Sequence, residues 1–349
     1  MAASPSRLLS LDALRGLAAL AVVLFHYLPY YDKLYGHHFA LPPVLAETLL
    51  FGRYGVHLFF ILSGFVILMT LERTRTAGWF GLARAFRLLP ALWIGIALTF
   101  VTVQLLGPED RAVSLGSALL NATLMHEYLG APHVDGAYWS LVIEVTFYAW
   151  MALLFYGLGG DWQRLRVALW LWLAISYAGV LAWKALPGSL EFLVKDLLFV
   201  KYAPLFIGGM VLYRGYRGRL DHRADQLLLM LAIGHAFMAY QTPYALFVAG
   251  CYAVFALAAA GRLPWLAKPP LLWLGRLSYC LYLVHQNIGY AIIDLGYRLG
   301  LPGPAAVALA LATAIALASL MHHAVERPAL NWFRQYRERK RPQPRMAAP

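Results

Sequence analysis

Two ionisable side chains interrupt one apolar run near the start of the sequence: Arg15 and His26 in LDALRGLAALAVVLFHY, Leu11 to Tyr27. Their chemistry differs. An imidazole with an ordinary pKa of about 6.5 accepts and returns protons near neutral pH, whereas a guanidinium stays charged and offers a planar fork that suits phosphate. At about 100° per residue the two side chains project within roughly 20° of each other on a helix, and at about 1.5 Å per residue they stand roughly 16 Å apart along its axis. They share a face at different depths. Taken alone, Arg15 reads as a flank that snorkels to the interface and His26 as a polar group satisfied by a neighbouring helix. Deep ionisable residues in apolar helices, however, mostly face functional cavities.

Further polar residues punctuate later apolar runs. GVHLFFILSGFVI carries His57 near one end and Ser63-Gly64 further in, a Ser-Gly pair that also suits close helix packing. ARAFRLLP sets Arg84 and Arg87 on adjacent turns near the expected depth of Arg15. Ordinary flanking charge is one account of them, and a phosphate site built from three guanidinium forks at one level is the other. YWSLVIEVTFYAW places Glu144 inside a run, where a carboxylate must be paired, protonated or in contact with water. Ser140 lies in the same run, and Tyr138 and Trp139 stand at its boundary, suited to an interfacial belt first and to sugar stacking second. GRLSYCLYLVHQ adds Ser278, Tyr279 and, mid-run, His285. His26 lies about fifteen residues along its helix and Glu144 about seven residues along one running the opposite way, which puts both in the same half of the bilayer. The expected picture is a polar path, cationic at one mouth and rich in His and Glu toward the other.

The elements that must position these residues follow from composition. The 349 residues are 61% hydrophobic and only 13% charged, with a mean hydropathy of +0.61. An ordinary soluble domain carries about 25% charged residues. The expected fold class is therefore all-α, a polytopic membrane helix bundle of about ten transmembrane helices, with spans near 11–30, 50–71, 88–106, 137–157, 167–185, 193–213, 226–241, 243–260, 274–297 and 303–323. A secretory signal is the competing reading of the first run, but Arg15 interrupts it and no small-residue cleavage site follows. Basic residues alternate between the two sides. Arg7, Arg73, Arg75, Arg84, Arg87, Arg164, Arg166, Arg214, Arg217, Arg219, Arg223, Arg262, Lys268, Arg276 and a tail from Arg327 to Arg345 fall on one, against Lys33, Arg53, Arg111, Lys184, Lys195, Lys201 and Arg298 on the other. The positive-inside rule then predicts cytoplasmic termini. Topology and attraction to anionic lipid account for the net charge of +12, so nucleic acid is not an expected partner. Cys251 and Cys280 sit in apolar runs as packing residues, and no cluster has metal-ligand spacing.

The motifs LDALRGLAALAVVLFHY, GVHLFFILSGF, RAFRLLPALW, YWSLVIEVTFY, LGRLSYCLYLVH and VERPALNWF resemble, in order, those of the acyltransferase-3 family, the bacterial integral-membrane O-acyltransferases. The resemblance runs from Leu11 to about Phe333, so residues 1–333 are expected to form the membrane domain and 334–349 a basic cytoplasmic tail without fixed structure. The family's Arg-x10-His pattern falls on Arg15 and His26, its RxxR pattern on Arg84 and Arg87, and its WSL-x-x-E pattern on Trp139, Ser140, Leu141 and Glu144. Many relatives carry an acidic residue where His57 stands. No segment resembles the soluble esterase-like domain that some relatives append, so the bundle or a separate partner is expected to complete the reaction. The resemblance implies transfer of an acyl group, usually acetyl, from cytoplasmic acyl-CoA to a hydroxyl of an envelope carbohydrate or lipid-linked glycan at or beyond the outer face of the bacterial inner membrane. Arg15, Arg84 and Arg87 would hold the donor phosphates, His26 would act as general base, and Glu144 would orient or stabilise the imidazole. An acyl-histidine route is an alternative. His57, Ser63, Tyr138, Trp139, Ser140, Ser278, Tyr279 and His285 are candidates for the substrate path. A secondary transporter or flippase for an acylated or anionic substrate also needs ionisable residues along a midplane path, but no inverted repeat is legible and the charges fall into two clusters.

Overall fold

The computed structural model describes residues 5–182, 185–221 and 223–340. Within them every regular element is helical. A chain this apolar has no water in hydrocarbon to satisfy its N–H and C=O groups, and a helix satisfies them internally. Seven helices are long and apolar enough to cross a membrane: α1 (Leu9–Tyr35), α2 (Pro43–Leu71), α3 (Ala77–Leu106), α4 (Gly136–Gly157), α5 (Trp162–Ala182), and, later in the chain, Thr242–Ala259 and Gly303–Arg339. Between them lie α6 (Ala203–Tyr216) and α7 (Ala224–Ala239), then α8 (Thr242–Ala259), α9 (Pro269–Val284), α10 (Gln286–Arg298) and α11 (Gly303–Arg339).

The ten expected spans are all helical, but three of them are short or interrupted. The segment expected at 193–213 divides into a short helix, a wide turn over Leu193–Leu197 and α6. The one at 226–241 bends at His235, and the one at 274–297 breaks at His285 into α9 and α10. At the other end of the chain, residues 334–339 continue α11 as helix where the sequence reading places a tail without fixed structure. Lys184, the side chain of Arg7 and the tail from Arg341 onward lie outside the described residues.

Two glycine crossings set the centre of the bundle. A Cβ on Gly16 of α1 would lie 2.6 Å from the backbone nitrogen of Gly275 on α9, and a Cβ on Gly275 would run into the Asp12 carbonyl. On α2 and α6, a Cβ at Gly64 would collide with the Phe206 carbonyl and one at Gly209 with the Ile61 carbonyl. Small residues allow this backbone approach, which is where dispersion between membrane helices is gained. Phe206 fills the space beside the second crossing, its ring 4.7 Å from Phe60 and 4.1 Å from Phe147. Helices α1, α2, α3, α4 and α9 thereby surround one interior space. Gly209→Val should force α6 away from α2 at a cost of about 1–3 kcal/mol, the usual cost of overpacking a core. Lower thermal stability in detergent is the expected readout, and a parental melting temperature would contradict the tight crossing.

Candidate functional site

His26 owes its position to Pro29. A proline has no N–H to continue the helical ladder, and α1 widens into a single π turn over His26–Tyr30, with the Tyr31 N–H reaching back to the His26 carbonyl. Such wide turns recur where a helix aims a side chain. The opposite wall is the break between α9 and α10. There the Asn287 N–H turns to Asp135 and frees the Leu283 carbonyl, which accepts from Tyr138 Oη at 3.1 Å, while Tyr27 Oη adds a second bond at 2.7 Å to the His285 carbonyl, which also accepts from the Gly289 N–H.

The break places His285 against His26. His285 Nδ1 lies 2.8 Å from the Tyr282 carbonyl and His26 Nδ1 lies 2.9 Å from the Val22 carbonyl. A carbonyl only accepts, so these contacts assign a proton to Nδ1 in both rings and leave each Nε2 with a lone pair. His285 Nε2 is 3.1 Å from His26 Nδ1 and accepts a share of that N–H. His26 Nε2 keeps a lone pair that neither contact uses, on a ring that is partly exposed.

The arginines line a cavity whose walls do not include His26 or His285. Arg15, Ser63, Arg84, Arg87, Ser140, Glu144, Ser278 and Tyr279 line one cavity of about 110 Å³, together with Tyr148 and Tyr282. Glu144 Oε1 accepts from Ser63 Oγ at 2.9 Å and from Tyr148 Oη at 2.6 Å. The residue at hydrogen-bond distance from His26 is therefore His285, and Glu144 is held on the arginine side. Arg84 lies 5.9 Å over the Tyr148 ring and Arg87 5.1 Å over Tyr279. Arg87 also forms an ion pair with Glu326, which is 3% exposed. The Nε atoms of Arg15 and Arg84 are buried without a hydrogen-bond partner among the described residues. Cationic donors left open on a cavity wall are what an anionic ligand would fill.

The remaining candidates divide between structure and boundary. Tyr138 is fully buried and holds the helix break rather than facing a boundary. Tyr279 donates to the Leu88 carbonyl at 2.8 Å and Ser278 to the Gly275 carbonyl at 2.8 Å, both on the cavity wall. Ser140 pairs with the Tyr282 hydroxyl at 2.7 Å. His57 bonds through Nε2 to Tyr240 at 2.8 Å within an aromatic cluster, and Trp139 lies 5.3 Å from Tyr202 beside it. Sequence reasoning missed Tyr148, Tyr282 and Glu326. Tyr148 follows Glu144 by one turn, a signal that helical spacing offers. Glu326, in VERP, carried no signal for its partner Arg87. Among the described residues no group of three or more His, Cys, Asp or Glu side chains is placed to hold a metal ion.

At the His26 end, the loop before α4 packs over the bundle. Asn121 and Asp135 tie it down, Asp135 accepting from the Ala137 and Asn287 backbone N–H groups at 2.9 Å each. His126 is fully buried there, with Nε2 2.7 Å from His133 Nδ1. Burial pushes His126 down to about 4, and His133 only adds to the shift. Its unfolded pKa of about 6.5 is higher, so on acidification the unfolded chain takes up the proton first. Stability from this site is whole above about 6.5 and is lost as pH falls toward about 4, by on the order of 3 kcal/mol. Melting temperatures of the parent and of His126→Asn between pH 7 and 4.5 test this. The parent should lose more on acidification, and equal losses would remove His126 as the cause.

The chain matches the acyltransferase domain family, acyltransferase-3, over residues 8–323. It is 28% identical over 287 residues to Nodulation protein 10 of Rhizobium leguminosarum bv. viciae, covering 71% of this chain and 75% of that protein. No solved structure matches it. With a helical membrane bundle built around the motifs and a family match that spans nearly all of it, the chain belongs to the acyltransferase-3 family and is a multi-pass membrane acyltransferase.

Proposed function

We propose that the protein transfers an acyl group, acetyl in the first instance, from acyl-CoA to a hydroxyl of an envelope carbohydrate, with His26 as the proton acceptor. The observation that carries this reading is the division of the interior into an arginine cavity with unpaired guanidinium nitrogens and, beyond Tyr282, a pair of histidines whose tautomers leave a free Nε2. Arg15 and Arg84 bind donor phosphates at the arginine end. The slender pantetheine arm extends through the cavity toward Tyr282, whose ring lies 5.5 Å from that of His285. His26 Nε2 removes the proton of the acceptor hydroxyl as its oxygen attacks the thioester carbon. When the tetrahedral intermediate collapses, the C–S bond breaks and the proton passes to the departing thiolate.

His285 takes the place in this scheme that an orienting carboxylate has in other acid-base pairs. Its neutral Nε2, with the Val22 carbonyl, accepts from Nδ1–H of His26 and so favours the imidazolium that forms during attack. Glu144 acts on the arginine side, where it fixes Ser63 and Tyr148 on the cavity wall. The alternation of basic residues supports a cytoplasmic arginine end and cytoplasmic termini in the bacterial inner membrane. The donor then arrives from the cytoplasm and the acceptor from the far side.

Purified protein in detergent should release free CoA thiol from acetyl-CoA in the presence of an acceptor glycan. A chain that moves an acylated or anionic substrate without chemistry would release none. Mass analysis of envelope glycans from a deletion strain beside its complemented strain identifies the acceptor by the acyl groups that disappear and return.

A further inference from the structure

Next to the arginine cavity, between the start of α9 and the last part of α11, a second concave site of about 630 Å³ opens at the surface. Its walls include Trp273 and Arg276 from α9 and His322, Arg327, Asn331 and Arg334 from α11. None of the three arginines pairs with a carboxylate among the described residues. Basic residues that merely flank a span are turned singly to water or headgroups. Here two elements roughly fifty residues apart in sequence turn theirs into one concavity, where like charges repel until an anion arrives. Trp273 offers an indole face that is 40% exposed, and the Asn331 amide offers a donor and an acceptor side by side.

The groove and the cavity share one wall. Glu326 forms an ion pair with Arg87, which lines the cavity, and accepts from Nδ1 of His322, which lines the groove, at 2.8 Å. A ligand that used both spaces would carry two separate phosphate groups on a sugar that also bears an aromatic base. We infer that the groove holds the 3′-phosphoadenosine end of the acyl-CoA donor, with the monoester phosphate among Arg276, Arg327 and Arg334 and the adenine on Trp273. The diphosphate then crosses at the Glu326 wall toward Arg84 and Arg15, and the thioester lies in the cavity. This inference rests on the acyl-CoA reading above and adds the residues that select the nucleotide.

The test compares acetyl-CoA with acetyl-dephospho-CoA, which lacks only the 3′-phosphate, by calorimetric titration of the full chain in phosphatidylcholine nanodiscs. The parent should bind acetyl-CoA at least about tenfold more tightly, as charge-assisted contacts to a phosphate imply, and rising salt should narrow the gap. Arg276→Gln with Arg334→Gln should bring the two donors to equal affinity. Should the pair of exchanges fail to fold, judged by elution in detergent, each single exchange should still narrow the gap by about threefold. Equal binding of the two donors by the parent would overturn the assignment, as would an undiminished preference in the variants. Phosphatidylglycerol added to the nanodiscs separates the other source of phosphate. If the exchanges abolish its retention, read by native mass spectrometry, while the donor preference stays parental, the groove is a headgroup site and the inference falls. A parent that binds neither donor fails the acyl-CoA reading itself.

Discussion

His26→Ala should lower single-turnover acyl transfer by about 10²- to 10⁴-fold while leaving donor affinity within about twofold of the parent, the signature of a lost proton acceptor rather than a lost binding contact. His285→Ala should cost less than His26→Ala, because the Val22 carbonyl still holds the His26 tautomer when the second acceptor is gone. Glu144→Gln should lower turnover with membrane expression near normal, since it keeps the shape but weakens the acceptor for Ser63 and Tyr148. The measurements are rapid-quench transfer with enzyme in excess over donor and calorimetric donor binding, with size-exclusion elution as the folding control. Parental transfer by His26→Ala would return that residue to the role of a packed polar group.

The second large effect separates the two arginines of the RxxR motif. Arg84 has a buried, unpaired Nε and no carboxylate partner among the described residues, so Arg84→Ala should fold normally and weaken donor binding by about 10- to 150-fold, the equivalent of about 1.5–3 kcal/mol. Arg87 instead pairs with Glu326 in a site only 3% exposed on the carboxylate side. Removing one partner of a buried pair strands the other and costs about 3–5 kcal/mol. Arg87→Ala should therefore appear first as lost melting temperature and poor yield. Glu326→Gln introduced beside it removes the stranded charge and should recover much of the loss. An Arg87→Ala protein of parental stability would mean that His322 and Cys280, the other partners of Glu326, suffice for that carboxylate.

Helical spacing alone placed Arg15 and His26 on one face at different depths, and the positions of Arg84, Arg87 and Glu144 within their runs set their levels. The arginines and Glu144 line one cavity, and the His26 and His285 pair stands outside its lining, on the far side of Tyr282. Periodicity reports which face a residue occupies on its own helix, and says nothing of which helix that face meets. The His26 and His285 contact joins residues 259 apart in sequence, and the Arg87 and Glu326 pair is nearly as remote. Neither leaves a mark in a local pattern. The break inside 274–297 left no mark for a similar reason: hydropathy over a window sees the segment as continuous, while the Leu283 carbonyl and the Asn287 N–H find their partners in Tyr138 and Asp135, far away in the chain.

That break also determines how the molecule deforms. A continuous helix transmits bending along its length, whereas an interrupted one bends at the interruption. At His285 the joint is clamped from outside, since hydroxyls from α1 and from the start of α4 hold the carbonyls on either side of it. On the proposed donor route, movement of α9 at its arginine end, where the nucleotide would enter and leave, would be separated by this clamp from the imidazole pair. Misplacement by about 1 Å can cost a reaction 10²-fold, so under the proposed mechanism the clamp would keep the imidazole pair in register while the other end admits the donor. Loosening it with Tyr27→Phe should speed amide exchange around His285 and lower the transfer rate together, without changing the affinity for donor. Unchanged exchange with a lowered rate would place the effect of Tyr27 elsewhere.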